Sequence, residues 1–149
     1  MKIIDYFNTE NQEHWLTRIG ESDWSAGKLL HDLLRDGKMK ELSGENTKVL
    51  LLTDGEELIS FCTLADVVDV QPTDLTPWIG FVYTFRKYRG KRHIVTLLTY
   101  AEALAKEAGY THTHISTTQK GLYERYGYTY FQTVPDMHGK DTRVYIKSL

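Results

Sequence analysis

WIGFVYTFRKYRGKRHIVTLLTYAEALAKEAG, residues 78–109, changes its period twice. Trp78–Thr84 is aromatic and β-branched with apolar residues on both faces, which predicts a central strand. Gly80 inside it signals a bulge or a close backbone approach. Further on, Ile94, Leu97, Leu98, Ala101, Leu104, Ala105 and Ala108 follow the i, i+3, i+4, i+7 pattern of an amphipathic helix, with Lys106 in its last turn and Gly109 as its stop. Between strand and helix stands RKYRGKRHIV, with five fixed cations (Arg86, Lys87, Arg89, Lys91, Arg92) and no acid. The chain has 18 Lys and Arg against 20 Asp and Glu, so outside this stretch 13 cations face 20 acids. The first N–H groups of a helix lack partners and its dipole is positive there, so such a junction binds anions. Gly90 lets the backbone come close to a ligand. A phosphate or pyrophosphate is the expected ligand; a solvated basic loop and a nucleic-acid backbone site are the competing readings. No G-x-G-x-x-G or G-x-x-x-x-G-K-S/T motif is present.

The rest of the chain fills in an α/β pattern. At 149 residues it has the length of one domain, expected over 1–149, and 41% hydrophobic content is enough for a core. No apolar run reaches membrane-spanning length, and MKIIDYFNTE turns polar too soon for a secretory signal, so a cytoplasmic protein is expected. A net charge of −2 argues against a nucleic-acid partner. The lone Cys62, in the apolar run Leu58–Cys62, reads as a buried inert thiol. Lys2–Ile4 predicts a short strand. Trp15 and Ile19, then Leu29, Leu30, Leu33 and Leu34, predict two helices, the second capped by Asp23 or Ser25. Lys48–Thr53 and Glu57–Leu64 form a hairpin about Asp54-Gly55, and Asp66–Thr76 is a loop. Strands are expected at Thr111–Ser116, Tyr128–Val134 and Arg143–Lys147, with a short helix at Leu122–Tyr126 closed by Gly127. This order implies a mixed sheet with helices on both faces.

Two motifs carry a resemblance. YRGKRHIVTLL after a strand is similar to the acetyl-CoA loop of the GNAT superfamily of N-acetyltransferases, R/Q-x-x-G-x-G/A. LYERYGY, Leu122–Tyr128, is similar to that superfamily's L-Y-E-K-x-G-F. The element order fits along nearly the whole chain. The resemblance implies a mostly antiparallel sheet of six to seven strands flanked by about four helices. With Arg89 first in the loop motif, the usual small residues fall on Arg92 and Ile94. A helical φ is open to Arg and Ile, so with that φ the loop can keep its backbone path.

By that resemblance the protein moves an acetyl group from acetyl-CoA, with no metal, to a primary amine by direct attack. The backbone of Arg89, Gly90, Lys91, Arg92, His93 and Ile94 would hold the pyrophosphate. Val82, Tyr83 and Thr84 would pair with the pantetheine arm like an added strand, and an N–H near Val82 or Tyr83 would face the oxyanion. Tyr123 would protonate the departing thiolate, as a phenol of pKa ~10 can at neutral pH. Asp66, Asp69, Asp74 and His114 are candidate bases with none favoured, and His112 with His114 lacks a third metal ligand. Glu21, Asp23 and the loop aspartates would favour a small cationic amine, and Trp24, Trp78 and Tyr83 either line its pocket or fill the core. A homodimer fits the family's habit, and a membrane partner is not expected. The alternative is a non-catalytic GNAT-fold module that binds CoA or regulates.

Overall fold

The structure, a computed structural model, describes residues 1–70 and 72–149. Its elements are β1 (Lys2–Asp5), α1 (Gln12–Gly20), α2 (Ser25–Arg35), α3 (Met39–Ser43), β2 (Lys48–Asp54), β3 (Glu57–Ala65), β4 (Trp78–Thr84), α4 (His93–Glu107), β5 (His112–Thr117), β6 (Thr129–Pro135) and β7 (Asp141–Ser148). Three 3₁₀ turns, Tyr6–Asn8, Arg86–Tyr88 and Tyr123–Tyr126, join them. The seven strands form one sheet in the order β1-β2-β3-β4-β5-β7-β6. Every pairing is antiparallel except β4 with β5. Gln71, within the loop expected over Asp66–Thr76, lies outside the described residues.

Strand alternation sends the run at Lys48–Asp54 to two cores. Leu50 and Leu52 pack with Ile59, Cys62, Ile79 and Ile115 beneath Leu97, Leu98, Ala101 and Ala105 of α4. Val49 and Leu51 pack with Phe61 and Tyr83 beneath Trp15, Ile19, Leu30 and Leu34 of α1 and α2. Burial of each such aliphatic chain stabilises the fold by about 1.5–3 kcal/mol before entropy is counted. The sheet is therefore held between two helical layers. A smaller cluster of Val70, Trp78 and Val144 lies where the β3–β4 loop crosses the sheet. Met137 N donates to Asp69 O at 2.8 Å, tying that loop to the β6–β7 hairpin.

Three local expectations differ from the structure. Leu29 is exposed, because it lies on the solvent side of α2, whereas Leu30 and Leu34 are buried and Leu33 packs partly against the same core. Neither Asp23 nor Ser25 caps α2: Trp24 is the N-cap residue, without a side-chain bond, and Asp23 is engaged elsewhere. The helix expected at Leu122–Tyr126 is a 3₁₀ turn over Tyr123–Tyr126, closed by Gly127 at φ +92°.

Candidate functional site

The site begins where two strands part. Opposite β3, Phe61 faces Tyr83 and Thr63 faces Gly80, so Phe81 and Val82 share one partner, Cys62. This is the bulge that Gly80 signals, with Phe81 itself at φ +50°. On the other side, β4 meets β5 at one position, Trp78 with His114, reinforced by His114 N donating to Pro77 O at 3.1 Å. Beyond it the strands diverge, and no strand among the described residues pairs with Phe81–Thr84 on that side. A sheet is thus opened in its middle, with backbone groups facing the gap.

The basic loop lies at the open end of the fork. Its five cations divide by their partners. Arg86 Nη2 reaches Asp23 Oδ2 at 2.9 Å, and Lys87 lies 3.8 Å from Glu57 in an exposed pair worth little. Arg89 Nε donates to Thr84 O at 2.8 Å, and its guanidinium sits 5.4 Å from the Tyr83 ring centre. Lys91 and Arg92 are exposed, without a hydrogen bond or ion pair among the described residues. They flank the start of α4, which no side chain caps. The orphan N–H groups of that first turn are open to an anion. A Cβ added at Gly90, φ +85°, would meet nothing within 4 Å, so the backbone faces free space there. Arg92 departs from expectation. Its φ is +62°, in the left-handed region where a glycine is at ease, rather than helical.

Tyr83 and Asp23 tie this loop to the turn between α1 and α2. Tyr83 Oη donates to Asp23 Oδ1 at 2.5 Å, and Trp24 stacks on Tyr83 with centroids 5.5 Å apart. The Tyr83 bond, and then Arg86, hold the Asp23 carboxyl below the usual carboxylate range. Neither the sequence period nor either motif signals this clamp. The other acids expected at the acceptor mouth are mostly committed: Glu21 pairs with Arg18 at 3.1 Å, and Asp66 accepts Asn46 N at 3.1 Å. Asp69 and Asp74 stay exposed on the loop. Trp78 is fully buried in the core, so of the three expected aromatic residues only Trp24 keeps partial exposure beside Tyr83.

Tyr123 packs on the α4 side of the sheet, in the same core cluster as Cys62 and edge-on to Tyr126 and Tyr128. Burial, and to a lesser degree the neighbouring Cys62, raises its phenol above the ordinary value, so it stays protonated. Burial pushes the Cys62 thiol up to about 12, consistent with an inert core thiol. His112 and His114 find no third ligand: no group of three or more His, Cys, Asp or Glu among the described residues is placed to hold a metal ion.

Comparisons with known proteins match this layout. The model of the acetyltransferase (GNAT) family matches residues 6–128. No curated protein matches the sequence significantly. An aminoglycoside 6'-N-acetyltransferase from Enterococcus faecium superposes with a TM-score of 0.69 at 13% identity, covering 99% of this chain and 97% of that one. A GNAT family acetyltransferase from Elizabethkingia anophelis, solved with acetyl-CoA bound, gives 0.68 at 15% identity over 99% and 97%. An acetyltransferase from Streptococcus agalactiae gives 0.68 at 17% over 99% and 98%. With the opened sheet, the cationic helix start and a family model spanning most of its length, this chain belongs to the acetyltransferase (GNAT) family.

Proposed function

We propose that the protein acetylates a primary amine of a small molecule, using acetyl-CoA and direct attack. The observation that carries this reading is the fork: β4 and β5 part after one paired position, next to a bulge and an uncapped cationic helix start. The residues fit the cofactor's chemistry. The first-turn N–H groups of α4 with Lys91 and Arg92 suit a pyrophosphate, and the edge of Val82, Tyr83 and Thr84 that no strand pairs, with the Thr84 carbonyl held by Arg89, suits an extended amide-bearing arm. Acetyl-CoA supplies the activated thioester. A backbone N–H at the bulge, near Val82, stabilises the charge that grows on the carbonyl oxygen. The protonated Tyr123 gives its proton to the leaving sulfur. The Asp23–Tyr83 bond, with an exposed Arg86 contact beside it, ties the α1–α2 turn to the strand that leads into the cofactor loop.

A small acceptor is in line with the aminoglycoside acetyltransferases among the structural neighbours. A primary amine is itself cationic at neutral pH. The test is release of CoA thiol, read with a chromogenic thiol reagent, from acetyl-CoA with kanamycin, spermidine and tyramine. Titration calorimetry of acetyl-CoA runs alongside. Amine-dependent release supports the reading; micromolar binding without release from any amine would leave the non-catalytic CoA-binding module instead.

A further inference from the structure

The transfer needs a proton acceptor, because an amine enters as its ammonium form and cannot attack until it loses a proton. Strand β4, WIGFVYT, carries no acid and no histidine. Three of the acids around the acceptor side are engaged, Glu21 by Arg18, Asp23 by Tyr83 and Arg86, and Asp66 by Asn46, while Asp69 and Asp74 stay exposed on the β3–β4 loop. Strand β5 offers another group. Thr113 bonds Tyr128, and Ile115 packs under α4, so alternation turns His114 to the opposite face, the side of α1 and α2. It stands at the apex of the fork and is 3% exposed.

The hydrogen bonding of His114 fixes its chemistry. Nδ1 lies 3.0 Å from Pro77 O. A carbonyl only accepts, so Nδ1 carries the proton and Nε2 presents a bare lone pair. Nε2 has no hydrogen-bond partner among the described residues. The surroundings disfavour the imidazolium. The Trp78 ring lies 5.4 Å away, centre to centre, and Ile146 of β7 is directly opposite. The titratable neighbour on the same face is His112; Trp78 and Pro77 on the β4 side and Ile146 on β7 bring no charge, and the β3–β4 loop sets Val70 against Trp78 while Asp69 and Asp74 point to solvent. Burial, then His112, lowers the His114 pKa against the opposing Pro77 bond, so the ring is a free base at neutral pH.

We propose that His114 is the proton acceptor of the transfer, reached from the amine through water in the fork. The inference rests on the acetyltransferase reading above. Along β4, Trp78 is three residues or about 10 Å from the bulge at Phe81, too far for direct contact and within reach of a short water chain. The ammonium proton passes to Nε2 and leaves the neutral amine. The amine nitrogen then bonds the acetyl carbon as the carbon–sulfur bond breaks. The sulfur takes the electron pair and the Tyr123 proton. The second nitrogen proton returns through water to the Tyr123 phenolate, and His114 releases its proton to solvent.

The test is the pH dependence of kcat/KM, with whichever of kanamycin, spermidine and tyramine is turned over, for the native protein, His114→Gln and Tyr123→Phe. Activity falls as pH falls through the His114 pKa, so the native acid limb lies below about 6.5. His114→Gln removes that limb and lowers kcat about a hundredfold, while acetyl-CoA affinity stays within about twofold. Tyr123→Phe keeps the limb. Because His114 is buried, ¹⁵N spectra of the native imidazoles give a second readout that needs no variant. A neutral Nδ1–H tautomer is expected, and an Nε2–H tautomer overturns the proposal. An unchanged acid limb in a folded His114→Gln that still transfers acetyl overturns it and leaves the acetyltransferase reading intact. Absence of transfer to all three amines in the native protein removes both.

Discussion

Replacing Arg92 by alanine and by glycine separates two roles that one residue combines. Its backbone is at φ +62°, where an ordinary side chain costs about 1–2 kcal/mol. Its guanidinium is exposed beside the uncapped start of α4. Glycine relieves the backbone strain but brings about 0.5–1 kcal/mol of extra unfolded-chain entropy. Arg92→Gly therefore gains about 0.5 kcal/mol net, which raises Tm by about 1–2 °C in a chain of this size. Arg92→Ala keeps a Cβ in the left-handed region, so it lacks that gain. Both variants lose the cation. A charge-assisted bond to a phosphate at an exposed site is worth about 1.5 kcal/mol, which is about tenfold in Kd for acetyl-CoA. Calorimetric titration and thermal unfolding of the three proteins read both quantities. If glycine lowers Tm relative to alanine, the strain argument is wrong. If either variant binds acetyl-CoA as tightly as the native protein, the guanidinium is not part of the anion site.

Other substitutions probe other parts of the fold. Tyr123→Phe should lower kcat about a hundredfold at unchanged acetyl-CoA affinity, and the native protein should show no basic limb from this phenol below about pH 10, since burial raises its pKa; equal kcat in steady-state assays would remove its role as the acid. Glu102 accepts from Tyr128 Oη at 2.9 Å and from Lys147 Nζ at 3.0 Å with both ion-pair side chains largely covered, so Glu102→Ala should cost about 2 kcal/mol in urea unfolding. An added Cβ at Gly27 would crowd Ser22 Oγ, which is buried without a partner, so Gly27→Ala should destabilise by about 1–3 kcal/mol despite alanine's better helix propensity. Ser22→Ala in the same chain should restore most of the loss; no recovery on thermal unfolding would place the strain elsewhere.

Much of this layout could be read from local pattern. Trp78–Thr84 has the observed bounds of β4, because a strand buried on both faces leaves a continuous apolar run. The α4 stripe is legible since Leu97, Leu98, Ala101 and Ala105 recur at the helical period. Gly80 pointed to the bulge one residue early: the glycine makes room, and Phe81 takes the positive φ. The left-handed turn at Arg92 was not legible, because local preference puts a glycine there and only the loop's closure onto α4 overrides it. Nor was the Asp23–Tyr83–Arg86 clamp, which joins positions 60 or more residues apart and leaves no period in the sequence. The acids at Glu21, Asp23 and Asp66 were visible as charges; Arg18 beside Glu21 is a local i, i+3 partner, whereas Tyr83 and Arg86 for Asp23 and the neutral Asn46 for Asp66 are set by tertiary contacts.

The parting of β4 and β5 makes the protein one strand short at its own centre. Open strand edges recruit whatever can pair with them, including other chains, and nature usually shields those at the rim with charge or short length. Here the exposed edge lies inside the sheet, where the fold cannot cover it without losing its cleft. A bound molecule that hydrogen-bonds along Val82–Thr84 completes the sheet and is counted among its stabilising parts. At a hundred times its Kd such a ligand adds about 2.7 kcal/mol. On the reading proposed above, resistance to unfolding and to proteases is expected to rise with the concentration of that ligand, so the cleft that serves the transfer also makes stability depend on its occupant.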